Sequence, residues 1–302
     1  MTLRHPRAAV AALALTAGCA LALSSCASPT DPAVTRESLQ EVATAPAPKP
    51  DPDPAEEEAE EVPVEVELLE CSPYLVVTAR GTGEPTTGQL LSPVARTIAQ
   101  SRPDQVVTVD VEYPADTDVN GGATLGVRSL VTMLNQQTLE CAEQKFVLLG
   151  YSQGAMVVGD ALSAPADRLV GEQADELSAE AAAAVIAVVF YGDPRFVGAA
   201  PYNAGSYDEE RDGLLPRPVD SLADYADEMR NYCVSADFIC QAVTSGLDES
   251  GHVEYFDNGM QQDGAAFAIS KLAPLPKGSK KGRDSKGSED AKASADANGS
   301  TR

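Results

Sequence analysis

The chain has 302 residues and a formal net charge of -24 at neutral pH, from 46 acidic side chains against 22 basic ones. That balance argues against nucleic acid as a general partner. Hydrophobic residues make up 43% of the chain, enough for a core, and the absence of Trp means any sugar groove would have to stack on Tyr or Phe.

The first segment reads as an export signal. Arg4 and Arg7 precede an uncharged apolar run from Ala8 to Leu23, the n-region and h-region of a secretory leader, too short and Ala-rich for a permanent span. Leu23-Ser24-Ser25-Cys26 resembles a lipobox, so residues 1–26 are expected to be a signal peptide and Cys26 a lipidation candidate. The product would be secreted or held at the membrane as a lipoprotein, each buried lipid methylene adding about 0.8 kcal/mol of affinity. Residues 27–66 include Asp51-Pro52-Asp53-Pro54-Ala55-Glu56-Glu57-Glu58. Prolines extend such a segment and like charges repel, so a disordered acidic tether is expected. Residues 277–302 are almost free of apolar side chains and read as a disordered polar tail. Between them, residues 67–276 form one domain.

Within the domain, strand-like and helix-like segments alternate. Strands are predicted at Tyr74–Ala79, Val106–Val111, Lys145–Leu149, Ala184–Tyr191 and Met229–Val234. Helices are predicted at about Gln89–Gln100, Ala123–Gln137, Ala155–Ser163, Glu172–Ala183 and Ala265–Leu272. Continuous apolar runs indicate strands buried on both faces, and the alternation gives an α/β fold with a mostly parallel sheet and helices on both sides. Ligands bind such sheets at the carboxyl ends of strands. Thr82, Ser152, Asp193 and Asp237 each closely follow a predicted strand.

The pentapeptide Gly150-Tyr151-Ser152-Gln153-Gly154 follows the third strand directly. A serine on a sharp strand-to-helix turn, flanked by small residues, is raised above the sheet edge at a helix N-terminus; the alternative for Ser152 is an ordinary helix cap. A serine hydroxyl needs a base beside it. The chain has two histidines and His5 lies in the leader, so the base can only be His252. Asp237 lies between them, and Ser, Asp, His is the chain order of α/β-hydrolases. Asp193, in Gly192-Asp193-Pro194, and Asp248 are rival acids. Asp193 is expected to cap its loop, and Asp248 sits very close to His252 in sequence. The oxyanion would take the Gln153 backbone N–H and a donor from Thr82, in the Arg80-Gly81-Thr82-Gly83-Glu84 turn; the alternative is a tight turn with glycines for backbone freedom. Outside the leader are four cysteines, Cys71, Cys141, Cys233 and Cys240. In an exported chain they suggest two disulfides, with three pairings open. A local Cys233–Cys240 staple around Asp237 is one possibility and leaves Cys71 with Cys141. A zinc site is the competing reading, weakened by the lack of any Cys-x-x-Cys pair.

Taken together, Ala79-Arg80-Gly81-Thr82-x-Glu84, Gly150-Tyr151-Ser152-Gln153-Gly154, Tyr191-Gly192-Asp193-Pro194, Cys233 and Cys240 enclosing Asp237, and then His252 resemble the cutinase family, from about Cys71 to Leu272. The resemblance implies a small α/β-hydrolase with no large lid and an exposed serine. It implies disulfides Cys71–Cys141 and Cys233–Cys240, a Ser152-Asp237-His252 triad, and Thr82 with Gln153 as oxyanion hole. Members hydrolyse carboxylic esters, from cutin and lipids to acetylated xylan. Gly198–Asp227 is longer than compact members need and is expected to shape the mouth of the site. The expected protein is therefore an exported, monomeric serine esterase working through an acyl-enzyme on ester or lipid substrates, with no metal or organic cofactor. Alternatives are acyl transfer to an envelope alcohol by the same triad, an acetylxylan-type esterase, and, in another class, a non-catalytic envelope binding protein. Retention of Ser, Asp and His together argues against the last.

Overall fold

The computed structural model describes residues 32–44, 66–242 and 249–274. Cys26 with the rest of the expected leader, most of the expected tether, Asp248 and the tail lie outside the described residues. The five predicted strands are present: β1 (Tyr74–Ala79), β2 (Val106–Asp110), β3 (Lys145–Tyr151), β4 (Val185–Tyr191) and, after a short β5 (Asn203–Gly205), β6 (Met229–Cys233). They form one sheet in the order β2-β1-β3-β4-β6-β5, every pair parallel.

β1, β3 and β4 are mostly apolar because both their faces are covered. Leu75, Val77, Phe146, Leu148, Val188 and Phe190 point into one cluster with Val127, Leu130 and Leu134 of α3 (Val119–Glu140) and Val157 and Val158 of α4 (Gln153–Leu162). Their neighbours Val76, Val147, Leu149, Ala187 and Val189 point the other way, onto Val94 and Ile98 of α2 (Ser92–Ser101) and the small residues Ala265 and Ala268 of a C-terminal helix (Met260–Lys271). In register, Ala79 stands beside Gly150, Tyr151 beside Tyr191, and Tyr191 beside Tyr232. The carboxyl ends of β1, β3, β4 and β6 are therefore level, and the loops leaving them converge.

Three features depart from the sequence reading. The helix expected over Glu172–Ala183 is confined to α5 (Ala179–Ala184). Upstream, the Arg168 guanidinium donates to the carbonyls of Gly171, Ala174 and Asp175, which holds that stretch as a loop, and the Ser178 hydroxyl caps the helix start at Ala181 N, 3.1 Å away. Second, the expected disordered tether of 27–66 contains a helix, α1 (Pro32–Thr44). Thr35, Ser38 and Leu39 form its buried face. α1 packs on α3 and on a 3-10 segment, Glu249–Phe256. Tertiary burial of Leu39, rather than a strong helical pattern, supports it. Third, a strand the sequence does not predict, β5, comes from the long segment Gly198–Asp227 and lies at the sheet edge; the same segment sends Arg217 back to Asp193. The helix Met260–Lys271 is α6, the last helix among the described residues.

Two disulfides are present, Cys71–Cys141 and Cys233–Cys240, with Cα–Cα separations of 5.4 and 6.0 Å.

Candidate active site

The turn from β3 into α4 explains the spacing of the pentapeptide. Ser152 has φ 53° and ψ -121°, a conformation that costs about 1–3 kcal/mol in a residue with a Cβ. It is held by Ser152 N donating to Tyr191 O at 2.9 Å and by Ser152 O accepting from Ala155 N at 2.9 Å. A Cβ on Gly154 would lie 1.9 Å from the Ala79 carbonyl oxygen. Only glycine lets the start of α4 lie directly against the end of β1, which brings Gln153 to the Thr82 loop. The Ser152 side chain makes no helix-cap bond. Its Oγ lies 2.9 Å from His252 Nε2.

His252 Nδ1 stands 3.0 Å from both Asp237 carboxylate oxygens. A carboxylate only accepts, so Nδ1 carries the proton and the Nε2 lone pair faces the serine. Asp237 is fixed in turn: Oδ1 accepts from Ile239 N at 2.9 Å, and Oδ2 from the Tyr255 hydroxyl at 2.7 Å. Tyr255 is fully buried, and burial followed by the Asp237 charge pushes its hydroxyl well above the usual tyrosine value, so it stays a donor. Tyr151 stacks on the imidazole with centroids 5.1 Å apart, and its hydroxyl donates to His252 O at 2.9 Å. Gly192, with φ +59°, leaves the space: a Cβ there would lie 2.8 Å from His252 Cε1 and 2.9 Å from Asp237 Oδ2.

The rival acid Asp193 is otherwise engaged. Its Oδ2 takes Arg217 Nη2 at 2.8 Å and Asn231 Nδ2 at 3.0 Å, and its Oδ1 takes Arg195 N at 2.9 Å. Arg195 also pairs with the buried Asp160. This network ties the loop after β4 to strand β6 and to α4.

Thr82 and Gln153 are both buried at the site. The Thr82 loop is held by a set of hydrogen bonds. Glu84 accepts from Gly81 N at 2.7 Å and Leu90 N at 2.8 Å, Gly83 N donates to Ala115 O at 2.6 Å, and the Arg80 guanidinium holds Tyr113 O and Pro114 O. Burial raises the Glu84 carboxyl above its ordinary value, with the backbone donors of Leu90 and Gly81 opposing it. Gln153 Nε2 donates to Asp116 O at 3.1 Å. Among the described residues, no group of three or more His, Cys, Asp or Glu side chains is arranged to hold a metal ion.

The structure thus brings together Ser152, Asp237 and His252, with Thr82 and Gln153 at the same sheet edge. One expectation fails: the serine is not exposed, at 1% relative accessibility, with His252 at 2%. Sequence reasoning missed Tyr255 and Tyr151 as supports. Tyr255 is three residues after His252 in a 3-10 segment, where residues i and i+3 lie one above the other, so spacing held the signal.

Residues 70–272 match the sequence model of the Cutinase family. The chain belongs to the cutinase family. It is 32% identical over 201 residues to a cutinase of Kineococcus radiotolerans, covering 66% of this chain and 61% of that protein. It is 33% identical over 150 residues to an acetylxylan esterase of Hypocrea jecorina, covering 49% and 48%. The chain therefore spans about half to three-fifths of the length of these curated relatives. The catalytic core domain of acetyl xylan esterase from Trichoderma reesei superposes with a TM-score of 0.58 at 28% identity, over 67% of this chain and 100% of that one. A cutinase-like protein from Cryptococcus sp., at 23% identity and TM-score 0.54, shares the fold. The architecture is a cutinase-like α/β-hydrolase.

Proposed function

We propose that this cutinase-family chain is a serine esterase that hydrolyses carboxylic esters through an acyl-enzyme. The observation that carries the reading is the unbroken relay from Ser152 Oγ through His252 to Asp237. Ser152 Oγ attacks the ester carbonyl carbon while His252 Nε2 takes its proton. Asp237 keeps the imidazole in the required tautomer and stabilises its cation. The carbonyl oxygen, now negative, takes hydrogen bonds from the Gln153 N–H and from Thr82. His252 returns the proton to the leaving alcohol as the C–O bond breaks. A water, deprotonated by His252, then attacks the acyl carbon, and the Ser152 oxygen leaves with that proton. Acyl esters of lipid or acetylated carbohydrate are the substrate classes, in line with relatives described as cutinase and acetylxylan esterase.

Export fits this reading. Two disulfides form in oxidising compartments, residues 1–26 supply the leader, and Cys26 the lipid attachment point that would leave the domain at the membrane surface. Among the described residues no helix is long and apolar enough to cross a membrane. The test is hydrolysis of p-nitrophenyl esters of graded acyl length by the oxidised protein, beside Ser152→Ala and His252→Ala. Loss of turnover in both variants is expected. Full turnover in Ser152→Ala would overturn the mechanism, and an alcohol added as acceptor separates hydrolysis from acyl transfer.

A further inference from the structure

α1 packs beside the segments that carry the acid and the base of the site. α1 packs on the 3-10 segment that carries His252. The Arg36 guanidinium carbon lies 5.6 Å from the centroid of the Phe238 ring, next in sequence to Asp237. α1 thus lies against both segments that deliver the acid and the base. Its inner face is Thr35, Ser38 and Leu39, while Val34, Glu37, Gln40 and Glu41 face outward. Leu39, fully buried, is the large apolar anchor of that face.

We propose that α1 is a cap on the mouth of the site, one that excludes bulky acyl chains while docked and undocks to admit them. The proposal rests on the serine-esterase reading of that site. α1 adds no strand to the sheet, and residues 45–65 separate it in sequence from the domain, so its departure dismantles no element of the fold. A free helix of this length is marginal in water. Docking and helix formation are therefore coupled, and both depend on Leu39. Removing the burial of one leucine shifts such an equilibrium by roughly 10- to 100-fold. A small acetyl ester needs little opening, whereas a long acyl chain needs the cap gone. The cap would thus set acyl-length preference.

The experiment compares the full oxidised chain with Leu39→Asp and Leu39→Met. We expect Leu39→Asp to raise kcat/KM for p-nitrophenyl laurate by about tenfold or more while acetate changes much less, with Leu39→Met near wild type. Equal effects on both esters, or a selective loss on laurate, would overturn the cap, the latter because α1 would then be part of the acyl site. A second readout needs no ester chemistry: in a Ser152→Cys background, Leu39→Asp should speed alkylation by a bulky maleimide more than by iodoacetamide. No difference between the two reagents would overturn the cap. Absence of turnover in every variant, with the alkylation difference intact, would instead sink the esterase reading and leave the cap standing.

Discussion

Gly154 is where backbone contact alone fixes the candidate site, and Gly154→Ala tests that. The new Cβ would stand 1.9 Å from Ala79 O and 2.4 Å from Ala79 C. An unstrained carbon–oxygen contact needs about 3.3 Å, and neither neighbour is a side chain that can swing away. The start of α4 and the end of β1 must therefore part by about 1 Å or more. That motion carries Ser152 and the Gln153 N–H away from the Thr82 loop and stretches the 2.9 Å contact between Ser152 and His252. A 1 Å misplacement at the reacting atoms costs about 10²-fold in rate, or about 2.7 kcal/mol of barrier. The same overpacking should lower stability by about 1–3 kcal/mol, a melting shift of roughly 2–12 °C in a domain of this size. Turnover of a p-nitrophenyl ester, measured well below both melting temperatures, isolates the rate effect. A Gly154→Ala protein with wild-type kcat would refute the claim that this close approach positions the site.

The two acids should separate cleanly. Asp237→Asn is expected to cut kcat on the order of 10⁴-fold with little change in melting. Asp193→Ala leaves Arg217 buried without its carboxylate and should cost about 3–5 kcal/mol in denaturant unfolding, while the molecules that fold keep most of their turnover. The disulfides should divide similarly. Serine replacement of Cys71 and Cys141, 70 positions apart, should cost about 4 kcal/mol of stability with kcat retained. Replacing Cys233 and Cys240, 7 apart, should cost about 2.5 kcal/mol and also lower kcat, because Asp237 lies inside that ring. Glu84 gives a pH signature. Its carboxyl value is raised in the fold above 4.5, so its contribution to stability is fully present below that value and is lost as pH rises through the folded one. Glu84→Gln removes this titration. Variant stability should therefore gain on wild type as pH is raised from about 4 to about 7 in thermal melts; a constant difference would refute it.

Much of the site was legible because local geometry writes itself into spacing. The Gly150-x-Ser152-x-Gly154 turn needs its small residues within five positions, and continuous apolar runs mark β1, β3 and β4 since both their faces are covered. With His5 in the expected leader, His252 followed by elimination. What escaped was tertiary. α1 is held by Leu39 seated on distant segments, and nothing in the Pro- and Glu-rich sequence around it signals that seat. The loop over residues 171–175 looks helical by composition, but Arg168 claims its carbonyls. Asp193 and Asp237 both follow strands. What separates them is Arg217, delivered from the long segment after β4, and that partner is visible only once the chain is folded.

The placement of the Cys71–Cys141 bond bears on how the sheet assembles. The two cysteines sit just ahead of β1 and β3, adjacent interior strands whose first residues Tyr74 and Lys145 are register partners. Parallel pairing across so long a stretch of chain is a slow search, because the loop must close before the contacts repay it. Once the bond is made, the two strand starts cannot diffuse apart even in the denatured chain, so oxidised protein should refold faster than reduced. The β1–β3 pair that carries the Thr82 loop and Ser152 would then be in place first, and Asp237 and His252, from later in the chain, would dock onto an edge already formed.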